Sequence, residues 1–253
     1  MTAIDPTQTV KQFATATFGE RLYKPTTMRS YTQTLRLLGL EDVRMGDVTL
    51  NLLYGSLETT YNRNTVRKQV VALRSLFRDV LPGIRQLKIP ASKARVYTLP
   101  DEDTLRFALA LCPYEFYGLL MMYCGLRVSE AVVIRPQDVH GTVLNVQRQR
   151  DENGRLGLAK TQGQVIIPQW MADRIREYKP QTVTSGAVRE SFNRYGKMAG
   201  IHLNPHMLRH WYCTEMVNRK VNPEIARRQM RHSDLKTTLQ PGSTESYSVS
   251  VAL

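Results

Sequence analysis

Only three cysteines, Cys112, Cys124 and Cys213, occur among the 253 residues, and no two form a CxxC pair. An odd number of widely separated thiols excludes a disulfide framework and a cysteine-based zinc site. Reduced thiols of a cytoplasmic protein are the expectation. No apolar run approaches the roughly 20 residues that a membrane-spanning helix needs. The opening MTAIDPTQTV lacks the basic start and apolar core of a secretory signal, so no membrane partner is expected. A phosphate-binding P-loop and a metal-binding carboxylate cluster are also missing.

Acidic residues are the scarcer charge: 22 Asp and Glu stand against 35 Lys and Arg, giving a formal net charge of +13. A surplus spread along the chain suits a polyanion, because each neutralised phosphate releases condensed counterions. Nucleic acid is therefore the leading partner class, and an unspecific basic surface or anionic membrane is the blander one. A hydrophobic content of 42% is enough to build real cores.

Residues 10–84 carry helical periodicity. KPTTMRSYTQTLRLLGL places Met28, Tyr31, Leu35 and Leu38 on a stripe with Gly39 as a stop. NRNTVRKQVVALRSLFRDVLPG has Asn64 as the expected cap and Val66, Val70, Leu73, Phe77 and Val80 at helical spacing. Arg67, Arg74 and Arg78 share a second stripe of that helix, and Arg29 and Arg36 stand two turns apart on the preceding one. These five arginines are candidate phosphate contacts; a solvated face is the blander reading. The basic, aperiodic stretch 86–97 is expected to link a helical domain over 1–85 to a second domain over 98–253. There, PYEFYGLLMMYCG predicts a buried helix stopped by Gly125. TVLNVQ and GQVIIP predict strands flanking a polar turn, and a helical stretch is expected from Pro168 through about Met198.

Several residues in this second part could carry chemistry. Arg127 follows the buried helix, where a guanidinium calls for either a salt bridge with Glu130 or a bound phosphate. Lys160 lies between the strand-like pieces and is expected to reach outward. In PHMLRH, His206 and Arg209 face one side of a helix start, a ready anion site. His206 and His210 also have zinc spacing, but no HExxH glutamate or third ligand accompanies them. Taken singly, each residue has a bland explanation.

Their order changes that. GLRVSEA, a strand–turn–strand lysine, HMLRH, RHSDLKTT and a late tyrosine together resemble the tyrosine recombinase, or phage integrase, family across the whole chain. The resemblance implies a mainly α protein with a small β-hairpin or sheet: a helical, SAM-like core-binding domain followed by a mixed α/β catalytic domain. It implies a site-specific recombinase acting through a 3′-phosphotyrosyl intermediate, with no cofactor and no metal. Arg127 and Arg209 would clamp the scissile phosphate, Lys160 would protonate the leaving 5′ oxygen, and His206 would assist proton transfer. His232 would hydrogen-bond the phosphate and Tyr247 would attack it. The implied partners are double-stranded DNA, three further copies in a homotetramer on two sites, and an accessory directionality factor.

The chain departs from the family pattern in several places. Pro241 occupies the place usual for the nucleophile, leaving Tyr247 to reach the phosphate on a longer loop. Tyr212, in the HMLRH helix, is expected to pack into the core, and Tyr195 and Tyr178 come before that motif, out of order. Arg231 stands where a glycine usually precedes the histidine, and Lys160 is unusually near His206. With helix starting near residue 10, a compact integrase without an arm-binding domain is expected. Two rivals remain: a catalytically lapsed DNA-binding relative, and a type IB topoisomerase-like enzyme.

Overall fold

The computed structural model describes residues 5–60, 62–91, 99–151 and 153–232. It divides into two compact units, Met1–Ala94 and Arg95–Leu253. Each is built mainly of helices, and the second adds one small sheet.

The first unit contains α1 (Val10–Glu20), α2 (Pro25–Leu37), α3 (Leu50–Glu58) and α4 (Arg63–Phe77). A reciprocal cap starts α1. Thr9 Oγ1 accepts from the Gln12 backbone N–H at 3.2 Å, and Gln12 Oε1 accepts from the Thr9 N–H at 2.8 Å. Asn62, not the expected Asn64, caps α4, its Oδ1 accepting from the N–H groups of Asn64 and Thr65. Asn62 still has extended backbone, whereas Asn64 already lies inside the helix. The stripe Val70, Leu73 and Phe77 is buried together with Leu35, Leu53 and Leu76, and Phe77 stacks on Phe13. Val80 falls beyond the end of α4 but packs against the same core from the following turn. Leu87 lies inside the stretch expected to be linker, yet it is only 1% exposed and belongs to this core.

The second unit begins with α5 (Glu102–Ala110) and α6 (Glu115–Cys124). As its all-round apolar sequence predicts, α6 is buried, with Leu119, Leu120, Met121 and Met122 in the main core. Gly125 ends it with φ +62°, and a Cβ there would meet the Tyr212 ring at 2.6 Å, so conformation and space both require glycine. The short α7 (Val128–Ala131) follows at once. Strands β1 (Val139–His140), β2 (Val143–Arg150) and β3 (Leu156–Ile166) then form an antiparallel sheet in the order β1-β2-β3. The turn is tighter than expected, because Arg148 joins β2 and pairs with Asp138 at 2.7 Å.

The helical stretch expected from Pro168 to Met198 is two helices, α8 (Gln169–Glu177) and α9 (Ser185–Met198). Pro180 disfavours helical backbone at Lys179. Tyr178 has already turned extended, and its hydroxyl pairs with that of Tyr117 at 2.6 Å. Thr184 then starts α9 by accepting from the Ala187 N–H. In α10 (Pro205–Asn218), Asn204 caps the start and Pro205 takes the first helical position. The last described helix, α11 (Pro223–Met230), ends on Arg231 in the left-handed conformation, φ 50°. A side chain in that conformation costs about 1–2 kcal/mol.

Candidate active site

Two turns of the second unit converge on one place. The tight stop at Gly125 delivers Arg127 to the N-terminal end of α7, and three residues on, Glu130 is fully buried. Glu130 is a hub. Its Oε1 accepts from Arg127 Nη1 at 2.9 Å, while Oε2 accepts from the Arg127 backbone N–H at 2.9 Å and from Arg231 Nη2 at 2.5 Å. The salt bridge read as one alternative for Arg127 is present, and the residue still keeps an exposed edge lining a pocket.

Arg209 arrives from α10 and is buried. Its Nη1 donates to the Gly125 carbonyl and its Nη2 to the Met230 carbonyl. These are the C-terminal ends of α6 and α11, where carbonyls have no helical partner and a cation meets the negative end of the helix dipole. Arg127, Arg209 and His206, with Ser129, Arg189, Asn193 and Asn204, line a pocket of about 400 Å³. As the i, i+3 spacing predicts, His206 and Arg209 share one side of α10. Three guanidinium groups surrounding one carboxylate leave a net positive charge beside this pocket.

The histidines respond to burial first and to that charge second. Loss of hydration, then Arg209 and Arg127, hold the His206 pKa below its ordinary value. The His210 ring lies 4.2 Å from that of His206, nearly perpendicular to it. Loss of hydration foremost, then His206 and Arg209 for His210, and Arg209 and Arg127 for His232, brings both down to about 4. Both are therefore neutral at pH 7. Because their folded pKa lies below the unfolded value of 6.5, the unfolded chain binds more protons between pH 6.5 and about 4. Stability is expected to hold above pH 6.5 and fall across that window. Urea denaturation midpoints at pH 7.5, 5.5 and 4.5 check this, and a His232→Gln variant should show a flatter profile.

The other expected site residues are placed as follows. Lys160 is exposed on β3. Between the pairs Arg148↔Leu158 and Val146↔Gly163, Gln147 alone faces residues 159–162, so Lys160 sits in a bulge that redirects side chains. It is not among the residues lining the pocket. Tyr247 and Pro241 lie outside the described residues. Burial raises the Tyr212 pKa to about 12, and its hydroxyl accepts from Gln229, which suits a structural tyrosine better than a nucleophile. In the first unit, Arg29 and Arg36 line a shallow pocket on α2, with Arg36 3.4 Å from Glu41. Arg67 donates to the Pro90 carbonyl at 2.9 Å, Arg74 to the Arg85 carbonyl, and Arg78 to Asp79. Arg67 and Arg74 thus hold the unit's own closing stretch.

Arg189, Asn193 and Asn204 were missed in the sequence. Arg189 and Asn193 are exposed one turn apart on α9, each next to a buried residue, Val188 and Phe192, so helical periodicity could have placed them on one exposed stripe. Among the described residues, no three His, Cys, Asp or Glu side chains gather as a metal site requires, and no helix is long and apolar enough to cross a membrane.

Solved integrases share this fold of helices with one small sheet. A lambda integrase dimer bound to a COC′ core site matches with a TM-score of 0.75 at 15% identity, over 96% of this chain and 81% of that one. The Tn1549 transposon integrase in complex with circular intermediate DNA matches with a TM-score of 0.73 at 17% identity, over 95% and 96%. The phage integrase family model matches residues 109–241. The chain belongs to the phage integrase family of tyrosine recombinases. Similar curated proteins include the tyrosine recombinase XerA of Thermococcus kodakarensis, 25% identical over 92% of this chain and 90% of that one. XerA of Saccharolobus solfataricus is 24% identical over 69% of this chain, a match spanning 61% of its own length.

Proposed function

We propose that this chain is a site-specific DNA recombinase that cleaves and rejoins duplex DNA through a 3′-phosphotyrosyl intermediate. One observation carries the reading: Arg127, distant in sequence from the helical pair His206 and Arg209, lines one pocket with them beside a net positive charge. That is the environment a phosphodiester needs when attack loads its non-bridging oxygens with charge. Arg127 and Arg209 would hold those oxygens, and His232 would add a hydrogen bond.

The nucleophile is the phenol of Tyr247. A phenol, with an ordinary pKa of about 10, is a poor nucleophile unless cations stabilise its anion and a neutral base takes the proton. His206, held below its ordinary pKa, is neutral at pH 7 and suits that task. A bond forms between phosphorus and the tyrosine oxygen as the bond to the 5′ oxygen breaks, and Lys160 supplies the leaving oxygen with a proton. The phosphotyrosine conserves the bond, and the reverse step rejoins a strand without nucleotide or metal. Residues 1–85, with the packed Leu87 added to their core, would form the core-type DNA-binding domain, the stretch beyond Leu87 to residue 97 the linker and 98–253 the catalytic domain. Arg29, Arg36, Arg67, Arg74 and Arg78 would contact phosphates through donors left over from their contacts within the unit. A lambda integrase tetramer has been solved on a Holliday junction, and its fold matches this chain with a TM-score of 0.72. Four copies on two DNA sites, in the cytoplasm and under an accessory factor, is the corresponding proposal here.

Pro241 favours a second reading, a clamp that binds DNA without cutting it. A nicked duplex carrying candidate crossover sequences, resolved on a denaturing gel, separates the two. Wild type is expected to form a covalent adduct and Tyr247→Phe none. An adduct that survives the substitution moves the nucleophile elsewhere; tight binding without adduct from wild type favours the clamp.

A further inference from the structure

Arg231 is the one member of the cationic cluster that does not line the pocket, and its placement is costly. It occupies a left-handed position, φ 50°, which glycine would adopt freely. Its side chain is 2% exposed. Beyond the bond to Glu130, its Nε and Nη1 are buried without a hydrogen-bond partner among the described residues. A strained backbone and unpartnered buried donors are difficult to explain by stability alone.

Its contacts reach three parts of the site. Through Nη2 it holds the same Glu130 oxygen that accepts the Arg127 backbone N–H. Its neighbour Met230 supplies the carbonyl that receives Arg209. Its stem lies across β3, where a Cβ added to Gly163 would meet Arg231 Cδ at 3.3 Å. The C-terminal end of α11 thus connects both pocket arginines and the strand that carries Lys160.

We propose that Arg231 is a positioning residue for the phosphate pocket. By taking one oxygen of Glu130, it prevents that carboxylate from neutralising Arg127, which keeps its charge available for a phosphodiester. Charge balance supports this. Without Arg231, Glu130 and Arg127 form a neutral pair and Arg209 alone contributes net charge; with it, the cluster carries two unneutralised cations. The inference rests on reading this pocket as a phosphate clamp.

The test uses the full chain and inorganic phosphate as probe, followed through the arginine Nε–Hε NMR signals of Arg127 and Arg209 at pH 7. Arg231→Met keeps the stem and the backbone strain but removes the charge; Arg231→Lys restores the charge. Arg231→Gly serves where the methionine variant fails to fold, because glycine relieves the left-handed strain. Phosphate affinity is expected to fall about tenfold in Arg231→Met or Arg231→Gly and to recover in Arg231→Lys. Unchanged affinity in the uncharged variants overturns the proposal, as does equal loss in the lysine variant, which would make the role one of shape. A wild type whose arginine signals ignore phosphate sinks the clamp reading itself, and this inference with it. Phosphate binding that depends on Arg231 in a wild type forming no adduct on nicked DNA leaves the inference standing while the recombinase reading fails.

Discussion

Replacing Arg209 by alanine is expected to reduce DNA cleavage by about 10³-fold or more and, separately, to lower stability by about 2–5 kcal/mol. The double loss follows from the two jobs of one guanidinium. It lines the pocket, where under the proposed function the transition state would place charge, and it also donates to the carbonyls of Gly125 and Met230. Both carbonyls end helices, so neither has a helical donor to fall back on. Alanine leaves two buried acceptors unsatisfied, each costing about 1–3 kcal/mol. Lysine is expected to do little better, because one ammonium cannot match the planar fork that spans both carbonyls. Urea denaturation and the rate of adduct formation measure the two losses independently. A variant as stable as wild type would mean that these helix ends are satisfied in some other way.

Glu130→Ala should have the largest effect on stability, about 3–5 kcal/mol, because it strands Arg231 as a buried cation without a counter-charge. Native domains have only about 5–15 kcal/mol in total, so this variant is expected to be partly unfolded at 37 °C. Glu130→Gln should cost less, since its amide oxygen can still accept one of the three bonds that the carboxylate receives. Arg127→Ala provides the contrast. Arg127 is 31% exposed, so its loss is expected to remove cleavage with little change in the urea midpoint. Equal stability losses in Glu130→Ala and Arg127→Ala would show that the Arg231 pair contributes nothing of its own.

Much of the fold was legible because local chemistry and global packing agree along most of the chain. The apolar stripe of α4, the all-round apolar α6, the stop at Gly125 and the proline start of α10 all occur where their residues predict. The errors fall where a tertiary contact outweighed local propensity. Tyr178 leaves the helical stretch to meet Tyr117, Arg148 extends β2 to reach Asp138, and Leu87 is drawn into the first core. In the site, the pair His206 and Arg209 could be read from spacing along one helix. Arg189 and Asn193 could have been read by the same rule, but nothing in the sequence said which face of α9 would border a pocket.

By itself, then, the sequence determined the helical periodicities, the positive balance and the motif residues Arg127, His206 and Arg209, because each depends on residue type and short-range spacing. Only the tertiary structure decided that Glu130 would serve two arginines separated by about a hundred positions, and that Arg209 would close two helix ends. The physical reason is burial. A carboxylate or guanidinium removed from water must find its partners wherever the fold brings them, and no local pattern records where that is.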